Sequence, residues 1–149
     1  FVMAHPAKLR AIVEGVKAEA AKHGRKVGTY ALFGLITADT DAEAHAIGER
    51  IIAGADKGAI ANILASAALD TNVGGTADRM KEALELPMEE GNIAFMSFPV
   101  IWGSPATVAA KIDDVAAATG IDGMLFSWPD FVPGIRDFGE KVRPLLRCA

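Results

Sequence analysis

The chain is poor in several things at once. It holds a single cysteine, Cys148, so no internal disulfide can brace it and no multi-cysteine metal cluster can be built. So low a thiol count suits a reducing cytosol, and a cytoplasmic protein is expected. There is no excess of basic charge: 15 Lys+Arg stand against 19 Asp+Glu, for a net charge of -4. The basic residues are also scattered, and nucleic-acid binding, which needs a basic stripe or patch, is not expected. Apolar runs stop well short of the roughly 18 residues that span a bilayer, which argues against a membrane role. Missing as well are the phosphate patterns GxxxxGK[ST] and GxGxxG, the zinc pattern HExxH, and the nucleophile turn GxSxG. The three histidines, His5, His23 and His45, lie in separate segments without ligand spacing, and no metal centre is expected.

What is present is an alternation of buried strands and amphipathic helices. Leu9, Ile12, Val13 and Val16 recur at helical steps after His5-Pro6 and stop at Gly24. Residues 27–37 (VGTYALFGLIT) are almost continuously apolar and β-branched or aromatic, as in a strand buried on both faces. Thr40-Asp41-Ala42-Glu43 has the spacing of a capping box, with Ile47, Ile51 and Ile52 behind it as a buried face. Residues 70–98 are turn-rich around a short helical piece near Met80 to Leu86 and read as an insertion. Ser104-Pro105 predicts a capped helix with Val108, Ile112 and Val115 on one face and a stop at Gly120. Residues 121–128 predict a short strand, and Ile135, Phe138, Val142 and Leu145 a final helix. With the apolar run at 1–4 counted as a strand end, three strands are predicted in a parallel α/β arrangement. A doubly wound sheet and a (β/α)8 barrel both fit that arrangement; a complete barrel takes about 250 residues, so as a barrel the chain would be one part of it, 1–149 forming a single unit.

In such folds the carboxyl ends of the strands carry chemistry. That placement selects Phe33 and Thr37 on the long strand and Trp128, beside Ser127, on the last one as substrate-binding candidates. Phe98 joins them at the end of the insertion, while Trp102 is expected to anchor the returning chain. His5 follows a strand end, but a His-Pro pair entering a helix is also an ordinary turn. The start of the helix at Ser104 could hold an anion, although any capped helix offers the same N–H groups. Asp113-Asp114 and Glu89-Glu90 read as solvated surface, because sequence neighbours do not share a helix face.

The stretch GTYALFGLITADTDAEA, then AGAD at 53–56, then GSPATVAAKIDDVAAATGIDGMLFSWPDFVPGIRDFGEKVRPLL resembles the carboxyl-terminal portion of bacterial-luciferase-like flavin monooxygenases. Within that family the likeness is closest to the pyrimidine (uracil) oxygenases, through Asp130-Phe131, Gly134-Ile135, Phe138-Gly139-Glu140 and the ending Pro144 to Cys148. The resemblance covers essentially the whole chain. It implies a (β/α)8 TIM barrel that uses reduced FMN, delivered by a flavin reductase, and O2 to oxidise a small-molecule substrate. It also implies that Phe1 to Ala4 ends the sixth strand, with Val27 to Thr37 the seventh, Met124 to Trp128 the eighth, and 70–98 a lid-like insertion. The family's flavin-gripping residues come mainly from earlier strands, so none is carried onto this sequence. Alkanesulfonate members clamp an anion with arginine near the mobile loop, and Asn92 to Trp102 contains none. A neutral, planar substrate such as a pyrimidine is therefore expected.

Three strands leave two unpaired edges, and the faces carrying Phe33, Leu35 and Met124 are expected to lack an opposite wall. Association with copies of the chain, as a homo-oligomer, or with the missing barrel half follows from this. The alternatives are an alkanesulfonate- or sulfone-type monooxygenase, a non-catalytic truncated barrel acting as an assembly or binding module, and a flavodoxin-like sheet holding a phosphate at Ser104.

Overall fold

The computed structural model describes residues 6–69 and 76–148. The expected strand end at 1–4 and His5 lie outside these. Helix α1 (Pro6–Lys22) is followed by strand β1 (Tyr30–Thr37), and then by helices α2 (Asp41–Ala53), α3 (Lys57–Ala67) and α4 (Thr76–Glu82). Strand β2 (Val100–Gly103), helix α5 (Pro105–Thr119), strand β3 (Gly123–Ser127) and helix α6 (Phe131–Asp137) complete the order, before a π-turn over Phe138–Val142.

All pairing is parallel, in the order β2-β1-β3. Tyr30 to Gly34 lie opposite Gly123 to Ser127, and Gly34 to Thr37 opposite Val100 to Gly103, so the flanking strands are staggered along the central one. The direct neighbourhood of the long strand and the last strand is as expected. Strand β2 was not: its four residues follow a turn-rich stretch and are too few to show a period.

Side-chain alternation divides the sheet into two faces. Ala31, Phe33 and Leu35 pack with Leu9 and Val13 of α1, with Val108, Ala109 and Ile112 of α5, and with Val142. Met124 and Phe126 join the same cluster. The expectation that Phe33, Leu35 and Met124 lack an opposite wall is therefore corrected, since they face the helical layer. A period of two sends the alternate residues to the other face. There Ile36 and Val100 meet Ala44 of α2 and Met88, whereas Leu125 remains 43% exposed.

Local chemistry explains where the helices begin. Thr40 and Glu43 form the complete capping box of α2: the Thr40 Oγ1 accepts from the Glu43 N–H at 3.2 Å, and Glu43 Oε2 accepts from the Thr40 N–H at 3.0 Å. Ser104 caps α5, with Pro105 in its first turn. Within the stretch expected as an insertion, α4 lies earlier than the predicted helical piece, and two 3-10 turns follow at Met88–Glu90 and Ile93–Phe95. Ala83, Met88 and Ile93 are buried there.

Two carboxylates tie sequence-distant segments together. Asp122 accepts from the N–H and the hydroxyl of Thr29, both at 2.8 Å, and pairs with Lys17 Nζ at 2.9 Å. These bonds, led by the Thr29 backbone, hold its pKa at about 2. Asp113 accepts from the backbone N–H groups of Arg147 and Cys148, each at 3.0 Å, and from Arg147 Nε at 2.9 Å. Its contacts with Cys148 and Arg147 likewise hold its pKa at about 2. The reading of Asp113 as solvated surface is corrected: it is 7% exposed and fastens the C-terminal segment to α5. The same carboxylate raises the pKa of the Cys148 thiol, which keeps it protonated and poorly nucleophilic.

Candidate functional site

A cavity of about 340 Å³ opens at the carboxyl ends of β1 and β3. Gly34 and Ile36 come from β1, Ser127 and Trp128 from the end of β3, and Met96 and Phe98 from the turn before β2. No cation lines it. The volume lies within the range of pockets that hold small organic ligands, and the lining is mostly apolar, as such pockets are.

Two of the four sequence candidates, Phe98 and Trp128, meet in this cavity. Phe33 does not: it is 1% exposed and packed beneath the helices on the opposite face. Two-residue alternation gives Gly34 and Ile36 the places expected for it, a signal available from the strand pattern once one face is fixed. Thr37 ends β1 opposite Gly103 and does not line the cavity; its hydroxyl is buried with no hydrogen-bond partner among the described residues.

Trp128 has two surroundings. It touches the cavity, and its ring also packs against Phe126, Phe131 and Phe138 at centroid distances of 6.1, 5.9 and 6.2 Å. Its Nε1 is buried without a partner among the described residues, a state that costs about 1–3 kcal/mol. Helix α6 approaches so closely that a Cβ on Gly134 would lie 2.5 Å from Trp128 Cγ. Only glycine permits that contact.

The turn before β2 is hydrogen-bonded along its length and strained at two residues. Buried Asn92 donates from Nδ2 to the Leu86 carbonyl at 2.6 Å and accepts at Oδ1 from the Ala94 N–H at 2.9 Å. Met96 and Ser97 then take φ values of 55° and 63°, the left-handed region. Each such non-glycine residue costs on the order of 1–3 kcal/mol, and strain of this kind collects at functional sites. The Ser97 hydroxyl is also buried and unpaired among the described residues.

Ser104 cannot serve as an anion site, because an anion of the chain itself is already there. Asp41 Oδ1 accepts from the Ser104 N–H at 2.7 Å and Oδ2 from the Thr107 hydroxyl at 3.0 Å, and these bonds lower the Asp41 pKa. Gly103, with φ 147°, lets the carboxylate in, since a Cβ there would lie 2.9 Å from Asp41 Oδ1. The flavodoxin-like reading with a phosphate at Ser104 is thereby overturned. The starts of α2 and α3 are likewise occupied, by Glu43 and Thr40 and by Asp56. The starts of α2, α3 and α5 thus leave no free N–H cradle for a flavin phosphate. Trp102 packs edge-on to His45 at 4.9 Å with Lys111 Nζ 4.1 Å from its ring, away from the cavity.

Residues 1–123 match the family model of luciferase-like monooxygenases. Pyrimidine monooxygenase RutA of Cronobacter sakazakii is 38% identical over 143 residues, covering 96% of this chain and 41% of the relative. The protein of the same name from Klebsiella pneumoniae is 40% identical over 129 residues, covering 87% and 34%. The chain therefore spans about two-fifths or less of the length of these curated relatives. Among solved structures, EDTA monooxygenase (EmoA) from Chelativorans sp. BNC1 superposes with a TM-score of 0.71 at 21% identity, over 99% of this chain and 38% of that one. DmoA from Hyphomicrobium sulfonivorans gives 0.72 at 17%, over 99% and 36%. At these identities the structures speak for the fold.

Proposed function

Because this chain belongs to the luciferase-like monooxygenase family, we propose that it supplies the substrate-facing wall of a flavin-dependent monooxygenase acting on a small, neutral, planar molecule of the pyrimidine class. The observation that carries this reading is the cation-free cavity at the strand ends, where Phe98 and Trp128 meet over Gly34, Ile36 and Ser127. Flat apolar side chains suit a heterocyclic ring, and a lining without lysine or arginine suits a neutral one. A sulfonate would leave its charge unpaired there.

In this proposal the turn bearing Met96 and Phe98 excludes water from the ring, and Trp128, braced by Gly134, fixes its orientation. The flavin, reduced FMN brought by a separate reductase, supplies the oxygen chemistry when bound. Its grip comes from strands beyond the described residues, either in the same polypeptide or in an associated one. A homo-oligomer in the cytoplasm is part of the same proposal.

A chimera tests it. Residues 6–148 replace the matching segment of the Cronobacter relative, and uracil-dependent O2 uptake is followed with reduced FMN supplied by a reductase. Uptake that falls at least tenfold on Trp128→Ala or Phe98→Ala supports the reading, with tenfold corresponding to about 1.4 kcal/mol of lost transition-state stabilisation. A folded chimera that binds flavin but gives no uracil-dependent uptake would instead favour the non-catalytic assembly module.

A further inference from the structure

Met96 stands between two cavities. Besides lining the strand-end cavity, it lines a groove of about 460 Å³ between α2 and α3, and Ile51 and Ala94 are the other residues common to both. Met96 is the most exposed methionine among the described residues: it is 50% exposed, Met88 is 1% exposed, and Met80 and Met124 are partly buried. The backbone beneath it is held in the left-handed region at two successive residues, with the Met96 N–H donating to the Ile93 carbonyl and the Ser97 N–H to the Asn92 carbonyl. Nothing in the proposed substrate contacts needs sulfur at this position.

We propose that Met96 is an oxidative modification site at which a hydroperoxide converts the partition from apolar to polar. The Met96 sulfur attacks one peroxide oxygen: the S–O bond forms as the O–O bond breaks, sulfur loses two electrons, and hydrogen peroxide leaves as water. The product is a sulfoxide, a polar acceptor in place of a soft apolar group, reversible by a sulfoxide reductase. A sulfoxide oxygen turned into the apolar lining would lose its hydration, so the oxidised side chain settles on the solvent side and the two cavities join.

The test uses the chain as it stands, treated with hydrogen peroxide and mapped by tandem mass spectrometry. Met96 is expected to oxidise about tenfold faster than Met80, Met88 or Met124, because thioether oxidation follows exposure. In a Trp102→Phe background the remaining indole, Trp128, reports on the cavity it shares with Met96. Oxidation should shift its emission and raise its quenching by acrylamide about twofold, a change that Met96→Leu abolishes and Met96→Gln reproduces without oxidant. Equal rates at Met96 and Met88 would overturn the proposal, as would Met96 sulfoxide forming with no change at Trp128. Neither readout depends on monooxygenase activity, so this idea and the proposed function fail separately.

Discussion

The ring of Trp128 lies flush against the backbone of Gly134, leaving 2.5 Å where a Cβ would have to sit. Helix propensity alone makes Gly→Ala stabilising by about 1 kcal/mol within a helix. Here the contact dominates. Gly134→Ala is expected to lower stability and to red-shift Trp128 emission as the ring is pushed from its aromatic neighbours. Urea denaturation and fluorescence of the same sample check both, and an increase in stability would show that the ring yields freely.

Phe33 and Phe98 separate packing from binding. Phe33→Ala should cost about 3–5 kcal/mol, the usual range for emptying a buried aromatic site. Phe98 is half-buried and borders a cavity that already exists, so its truncation should cost much less. Denaturant midpoints of the two variants measure the difference directly, and equal losses would mean that Phe98 is a core residue.

The capping box of α2 gives a smaller expectation. Thr40→Ala removes the acceptor for the Glu43 N–H and should cost about 1 kcal/mol, whereas Thr40→Ser should restore most of it. Thermal melts of the three proteins test this, because a serine variant as unstable as the alanine one would implicate the methyl group.

Acid should loosen the molecule through Asp113 and Asp122. Both are held at about 2 in the folded chain against an ordinary 3.8, so the folded state binds their protons less readily than the unfolded one. Their contribution is complete above 3.8 and is lost as the pH falls through about 2. Urea midpoints across this window should drop for the parent chain and drop less steeply for Asp113→Asn, which starts lower. Parallel curves would assign the acid limb to other groups.

Much of this molecule is legible in its sequence where a local rule acts alone. The capping box at Thr40 and Glu43, the Ser104-Pro105 start and the long strand follow from interactions within a few residues, and the structure has all three. Strand β2 is different, because four residues hold too little pattern and its place is fixed by Gly34 to Thr37, far away in the chain. Asp113 looked like surface for the same reason: its partner Arg147 is chosen by folding, as is the pairing of Asp122 with Thr29. For the site, strand ends pointed to Trp128 and the insertion's border to Phe98. Position along a strand does not say which face a side chain takes, and that one-residue ambiguity put Phe33 in the cavity's place instead of Gly34 and Ile36.

The strand order also governs how the chain is made. Emerging from the ribosome, Leu35 has no sheet partner among the described strands until Ile101 is synthesised, and Ala31 waits longer still, for Met124. During translation the most apolar strand therefore waits for β2 and β3, its two partners among the described strands. Such late, distant pairing makes for slow folding and a long exposure to aggregation. Better yields at low growth temperature are the expected practical signature.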